Sequence, residues 1–290
     1  MTDFDWDPQE ILRDSRETLA SADEMSHFVD RQRERLENYT SQGKSVDLAV
    51  AIRIASSLEV YATYLAMKGA VAVCDGNPDG WKDIHGTYVC RSWSARVALV
   101  QAKRSTKRRK GSLLLRDSVA ECLAHAIATG DVHFADWYGN EIVNDLNNGT
   151  RLFTHMDHRT PFEPMIIKLY SIWRQRNVRL DTDQGLDLGV YAPIFEFWED
   201  NSQFTSAIQK ACDYHCDDNG LLRYANIPYF IVPVEILAIQ KVRRDLGFPD
   251  VTIHHPLMET AFTNLSVQTF EDELISRSIE VLRKTYPEIP

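Results

Sequence analysis

The stretch VDLAVAIRIASSLEVYATYLAMKGAVAV, residues 46–73, decides the fold class. Leu48, Ile52, Ala55, Ala62, Leu65 and Gly69 recur at intervals of three to four or their multiples, the period of an α-helix. Val50, Ile54, Leu58 and Tyr61 give the same helix a second apolar side, which predicts a central element packed on more than one face. A membrane span needs roughly 18–20 apolar residues. This run is interrupted by Arg53, Glu59 and Lys68, so it reads as a core helix and no membrane association is expected.

Working outward, helical punctuation recurs on both sides. Asp7-Pro8 fits an N-cap followed by proline at the first helical position, opening a polar helix that runs towards Tyr39. Ser45 is a candidate cap for the central helix. DGNPDG at 75–80 is a turn, and a third helix is expected from about Trp81 to Lys103. Beyond it, Leu115, Val119, Leu123 and Ala126 form one stripe and Ala135, Tyr138, Ile142 and Leu146 another. Thr129-Gly130-Asp131 between them supplies a stop and a new cap. Pro161 and Pro164 precede a helix over MIIKLYSIWRQRN. Further helices fit residues 195–216, 232–247 (Pro233 in the first turn, Gly247 ending it) and 269–284, the last with a capping box of Thr269 and Asp272. No run alternates as a strand would. The expected fold is all-α, an array of antiparallel helical hairpins. A glycine-spaced segment, DTDQGLDLGVYAP, marks a boundary between regions 1–180 and 181–290.

Composition narrows the class of function. With 44% hydrophobic and 26% charged residues the chain has a globular rather than disordered balance. Its acidic start, MTDFDWDPQE, lacks the basic n-region of a signal peptide, so a cytoplasmic location is expected. Five cysteines then read as reduced thiols, mostly in the core. The net charge of −10 argues against a nucleic-acid binder held by phosphate contacts. The basic run KRSTKRRK (103–110) lacks interleaved aromatics and reads as a solvated connection.

No GxSxG elbow, P-loop, GxGxxG or HExxH is present, so no catalytic residue is assigned and no cofactor is expected. CDYHCDD (212–218) sets Cys212 and Cys216 on one helical face, but His215 lies about 100° round the helix from Cys216 and nothing nearby completes a zinc tetrahedron. His155, Asp157 and His158 with His254 and His255 are the alternative: a metal-dependent hydrolase, should the fold bring them together. A helical-repeat scaffold is a third possibility, although no fixed period is found.

The most pronounced feature is electrostatic. Over 181–218 the acids Asp181, Asp183, Asp187, Glu196, Glu199, Asp200, Asp213, Asp217 and Asp218 face a single base, Lys210. The same segment carries Tyr191, Phe195, Phe197, Trp198, Phe204 and Tyr214. Acids that steer an encounter and aromatics that hold it suit capture of a basic protein surface. CDYHCDD then closes that surface, with Asp213, Asp217 and Asp218 outward and the two cysteines inward.

The segments FEFWEDNSQFTSAIQKACDYHCDD, IPYFIVPVEILAIQKVRRDLGFPD and IHHPLM resemble the closing half of helical immunity proteins from bacterial polymorphic-toxin and type VI secretion systems, in the group that neutralises PoNe-type DNase toxins. Trp198, Tyr229-Phe230, Glu235 and His255-Pro256 stand where such proteins carry a helical Trp, an aromatic turn, an inward Glu and a proline-flanked motif. The turn that tends to read Gly-Tyr-Trp there is IPYF here. The resemblance covers about 70 residues. It implies an all-α antitoxin that sequesters a cognate toxin having a basic surface, without touching nucleic acid itself.

Overall fold

The computed structural model describes residues 7–20, 22–41, 44–104, 118–148, 161–175, 187–217 and 227–289. These contain twelve α-helices and no strand, so the protein is all-α. The described residues divide into two compact units, one drawn from Asp7–Leu115 with Ser266–Pro290 and the other from Arg116–Leu265. The expected boundary at 180–181 lies outside the described residues. The division itself falls at 115/116 and 265/266.

The discontinuous unit is built on the quoted stretch. α1 (Pro8–Ile11), α2 (Arg13–Ala20) and α3 (Ala22–Thr40) precede the long α4 (Leu48–Cys74) and α5 (Gly80–Arg104). Asp7 caps α1 as expected, its carboxylate accepting from the Gln9 N–H. Asp47, not Ser45, caps α4 through the Val50 N–H. An aspartate there also places negative charge at the positive end of the helix. Along α4, Ala55, Ala62, Leu65 and Gly69 are buried, as are Ile54, Leu58 and Tyr61. Leu48 and Ile52 stand exposed in the first turns, and Val50 is half-buried.

α4 and α5 run antiparallel. Gly69 meets Gly80, the Thr87 hydroxyl donates to the Ala62 carbonyl at 3.3 Å, and Arg91 Nε lies 3.4 Å from Glu59 Oε1. At the closed end the backbones touch, because a Cβ on Gly69 would stand 2.7 Å from the Gly80 carbonyl oxygen. By length and composition α4 is long and apolar enough to cross a membrane, which corrects the expectation that its charges exclude this. Here it is the central helix of its unit, with Lys68 paired to Asp83 at 3.0 Å.

The unit is closed by residues from the far end of the sequence. The last helix, Glu273–Thr285, packs on α3, α4 and α5. Its N-cap is Asp272, not Thr269; one carboxylate oxygen accepts from Leu274 and Ile275 N–H, and the other lies 2.8 Å from Arg33 Nη1. Phe270 lies against α5 where Gly86 leaves room for its ring.

In the Arg116–Leu265 unit, α6 (Ser118–Thr129) and α7 (Val132–Asn148) are joined at Gly130, whose φ of +77° is the left-handed conformation expected of a helix stop. Leu123 and Ala126 point inward, as do Ala135, Tyr138 and Ile142, while Leu146 is half-buried. Leu115 and the Val119 side chain lie outside the described residues. α8 (Phe162–Trp173) begins earlier than expected, with Pro164 inside its first turn, where no N–H is needed. The Tyr170 ring fits against Gly139. A one-turn 3-10 helix (Gly189–Tyr191), α9 (Ala192–Glu196), α10 (Asn201–Cys216) and α11 (Val234–Asp245) complete the unit. The single helix expected over 195–216 is thus broken at Phe197–Asp200. α11 follows Pro233, which holds the N-cap position, and stops at Gly247. The closing helix, Glu273–Thr285, is α12.

The Gly69–Gly80 approach is directly testable. Gly69→Ala forces a methyl against backbone that cannot move aside, and overpacking of this kind costs about 1–3 kcal/mol. Urea denaturation should show that loss, while Ser56→Ala on the exposed face of α4 should change stability by less than about 0.5 kcal/mol.

Candidate functional site

The candidate site is the segment 187–217 with the loop and helix packed behind it. Asp187, Glu196, Glu199, Asp200, Asp213 and Asp217 are all exposed. Asp181, Asp183 and Asp218 lie outside the described residues. Several of the exposed carboxylates already have local duties. Asp187 accepts from the Gly189 N–H at 2.8 Å. Asp200 caps α10, accepting from Ser202 and Gln203 N–H at 3.0 Å, and also holds the Gln203 side-chain amide. Those donors, led by the Gln203 N–H, keep its carboxyl below the usual range. Asp213 lies 3.2 Å from His255 Nε2. Because α10 has 16 residues, its ends lie about 24 Å apart. That exceeds the Debye length of about 8–10 Å in ordinary buffers. The acids therefore form two patches, one of Glu196, Glu199 and Asp200 and one of Asp213 and Asp217.

The aromatic residues of the segment serve its own packing. Tyr191 and Phe204 are fully buried, and Tyr191 meets Tyr214 edge-on. Phe195, Phe197, Trp198 and Tyr214 are half-buried. Only these four retain surface with which to meet a partner.

Behind the acids lies a buried polar pair. Cys212, His215 and Cys216 all point inward, and Asp213 and Asp217 outward. His215 Nδ1 lies 2.6 Å from Glu235 Oε1, and its Nε2 lies 3.2 Å from the Phe230 carbonyl oxygen. Neither side chain of the pair is exposed at all. The carbonyl can only accept, so Nε2 carries a hydrogen and donates. The 2.6 Å contact is a buried hydrogen bond between a ring nitrogen and a carboxyl oxygen, which supplies each group with a polar partner in the core. This ties the end of α10 to the start of α11 and to the turn at 227–230. In the same unit the buried Tyr229 hydroxyl is 3.3 Å from His125 Nδ1. Burial, reinforced by Glu235, raises the Cys212 thiol and pushes Cys216 up to about 12. Both remain protonated and unreactive as nucleophiles. The His–Glu pair, closed to solvent, meets no diffusing substrate.

The histidine clusters do not assemble a metal site among the described residues, where no group of three or more His, Cys, Asp or Glu side chains could hold an ion. His155, Asp157 and His158 lie outside the described residues. His254 is exposed. His255 caps a 3-10 helix, its Nδ1 accepting from the Leu257 N–H at 3.1 Å; this leaves the Nε2 hydrogen facing Asp213. Of the basic run only Lys103 and Arg104 are described, and Arg104 pairs with Glu288. Four of the five cysteines are buried, and Cys74 is half-buried. No protein-family model, curated protein or solved structure matches the chain.

Two outcomes follow. Removing one partner of a buried pair strands the other, at a cost of about 3–5 kcal/mol. Glu235→Ala should lose about that much in urea denaturation, and double replacement by apolar residues (His215→Leu with Glu235→Leu) should recover part of it. Asp200 has a depressed folded-state pKa, so its contribution is present above the usual carboxylate range and is lost as pH falls through the folded value. Asp200→Ala should therefore flatten the acid limb of the stability–pH profile and leave its shape above neutrality unchanged.

Proposed function

We propose that the protein is an immunity protein that neutralises a cognate bacterial toxin by binding a basic surface at or beside the toxin's active site. The observation that carries this reading is the segregation of charge between the two units. Arg116–Leu265 holds 21 Asp and Glu against 12 Lys and Arg, a net −9 of the chain's −10. Asp7–Leu115 with Ser266–Pro290 is nearly balanced, with 19 acids against 20 bases, and Asp3 and Asp5 account for the remaining −2. Within the acidic unit, the six described acids of 187–217 are exposed on or beside one helix. A nuclease or other anion-processing toxin is basic where it holds its substrate. A net negative charge concentrated on one unit raises the encounter rate with such a surface.

The resemblance of 195–258 to immunity proteins of secretion-system toxins supports the same reading, as does the closed character of the His215–Glu235 pair. Half-buried Phe195, Phe197, Trp198 and Tyr214 supply the apolar contact that charge alone does not. The protein would act in the cytoplasm, where the toxin must be met, and would need no cofactor.

The test is calorimetric titration with the product of the gene immediately upstream, at two salt concentrations, beside a growth-rescue assay. Nanomolar one-to-one binding that weakens with salt, together with rescue, is the expected result. Glu196→Lys with Glu199→Lys, and separately Asp213→Lys with Asp217→Lys, should each lower the association rate roughly tenfold at low salt. Binding that is indifferent to both reversals would sink the acidic-surface account, and neither binding nor rescue would sink the immunity assignment.

A further inference from the structure

Arg243, in the last turn of α11, is placed unusually for a cation. Basic residues at helix C-termini ordinarily extend towards solvent and the last carbonyls. Arg243 is only 2% exposed. Its guanidinium carbon lies 3.9 Å from the centroid of the Phe204 ring and 5.2 Å from that of Phe248. One nitrogen, Nη2, donates to Asn201 Oδ1 at 2.6 Å. Among the described residues no acceptor reaches its Nε or Nη1. Arginine remains protonated in proteins, and burial here pulls against that charge, holding its pKa below the ordinary value.

A second orphan donor belongs to the same cluster. Trp198, in the turn 197–199, packs edge-on against the same two rings, 5.8 Å from Phe204 and 6.4 Å from Phe248 between centroids. Among the described residues its indole Nε1–H has no acceptor either, and that atom is buried. Nearby acids are turned to other uses. Asp245, two residues from Arg243, takes the Trp173 N–H at 3.0 Å and Lys241 Nζ at 2.5 Å. Asp200 is occupied in capping α10. Among the described residues, three buried nitrogens on one aromatic cluster, carrying four N–H groups, lack an acceptor, and buried donors left unsatisfied are costly in the free protein.

We propose that Arg243 and Trp198 form a binding site for a carboxylate at the start of α10. Only donors are offered, one of them cationic, so the ligand must be an acceptor and an anion. Glu196, Glu199 and Asp200 beside the site disfavour a doubly charged phosphate and leave a monoanion as the class it takes. Trp198 stands on a short turn and is itself half-buried, so its ring is the element that admits the ligand. This inference is independent of the toxin assignment and stands or falls by itself.

The indole N–H of Trp198 reports on the site directly in proton–nitrogen NMR spectra of the full chain. Trp198→Phe identifies the signal, which is the one lost from the six indoles. Acetate replaces chloride at constant ionic strength, with phosphate and the peptide acetyl-Ala-Glu-Ala-amide as separate arms. A saturable downfield shift with acetate is expected, and Arg243→Lys, which keeps the charge but loses the planar fork, should weaken it by at least about tenfold. A response to acetate without one to the peptide would assign a free small carboxylate. Tighter binding of the peptide would assign a glutamate or aspartate presented by a protein. An indole signal that stays upfield and ignores every anion would overturn the proposal, because the Phe204 and Phe248 ring faces would then be what its donors meet. An equal response in Arg243→Lys, or phosphate binding at least as tight as acetate, would overturn it too.

Discussion

One buried hydrogen bond, from His215 to Glu235, ties α10 to α11. His215 and Glu235 come from different helices, are wholly buried, and touch at 2.6 Å, with the second ring nitrogen on the Phe230 carbonyl. This latch fixes where α10 ends and α11 begins, and so fixes which way Asp213 and Asp217 face. It also explains why CDYHCDD looks like chemistry without being a reactive site. The pair is closed to solvent, and the flanking thiols are held protonated by burial. Polar residues here specify a geometry, which is the commonest use of a satisfied polar core.

Most of the fold was legible because helices announce themselves locally. Periodicity located the central helix, and glycines at positions 130 and 247 ended helices where left-handed backbone was required. Errors arose where two candidate caps competed. Ser45 lost to Asp47 and Thr269 to Asp272, in each case because an aspartate lay nearer the first helical residue and adds charge to its hydrogen bond. The apolar pattern runs through 197–200 without a break, yet Asp200 caps a new helix there rather than riding along an old one.

The site was legible only in part, and the division has a physical cause. That the acids would be exposed follows from desolvation cost, which acts on each residue alone. The partner of His215 could not be read, because Glu235 lies 20 positions away and the two meet only after the chain turns back. Arg243 was invisible for the same reason. A basic residue in a last helical turn reads as solvent-facing, and only the rings of Phe204 and Phe248, from other segments, draw it inward. Non-local packing decides such cases, and a one-dimensional pattern carries no record of it.

The interleaving of the two units along the chain has a consequence for biosynthesis. Arg116–Leu265 is contiguous, whereas the other unit needs α12, which packs on α3, α4 and α5. During translation the acidic unit is complete before the ribosome has reached the helix that closes its neighbour. Domains generally fold as units when their residues are available. Here the order is inverted: the segment made second can fold first, while α5 and the long, apolar α4 wait for a partner still to be synthesised. Premature termination after residue 265 would therefore release a finished acidic unit attached to an unfinished apolar one, a species that chaperones and proteases are built to intercept.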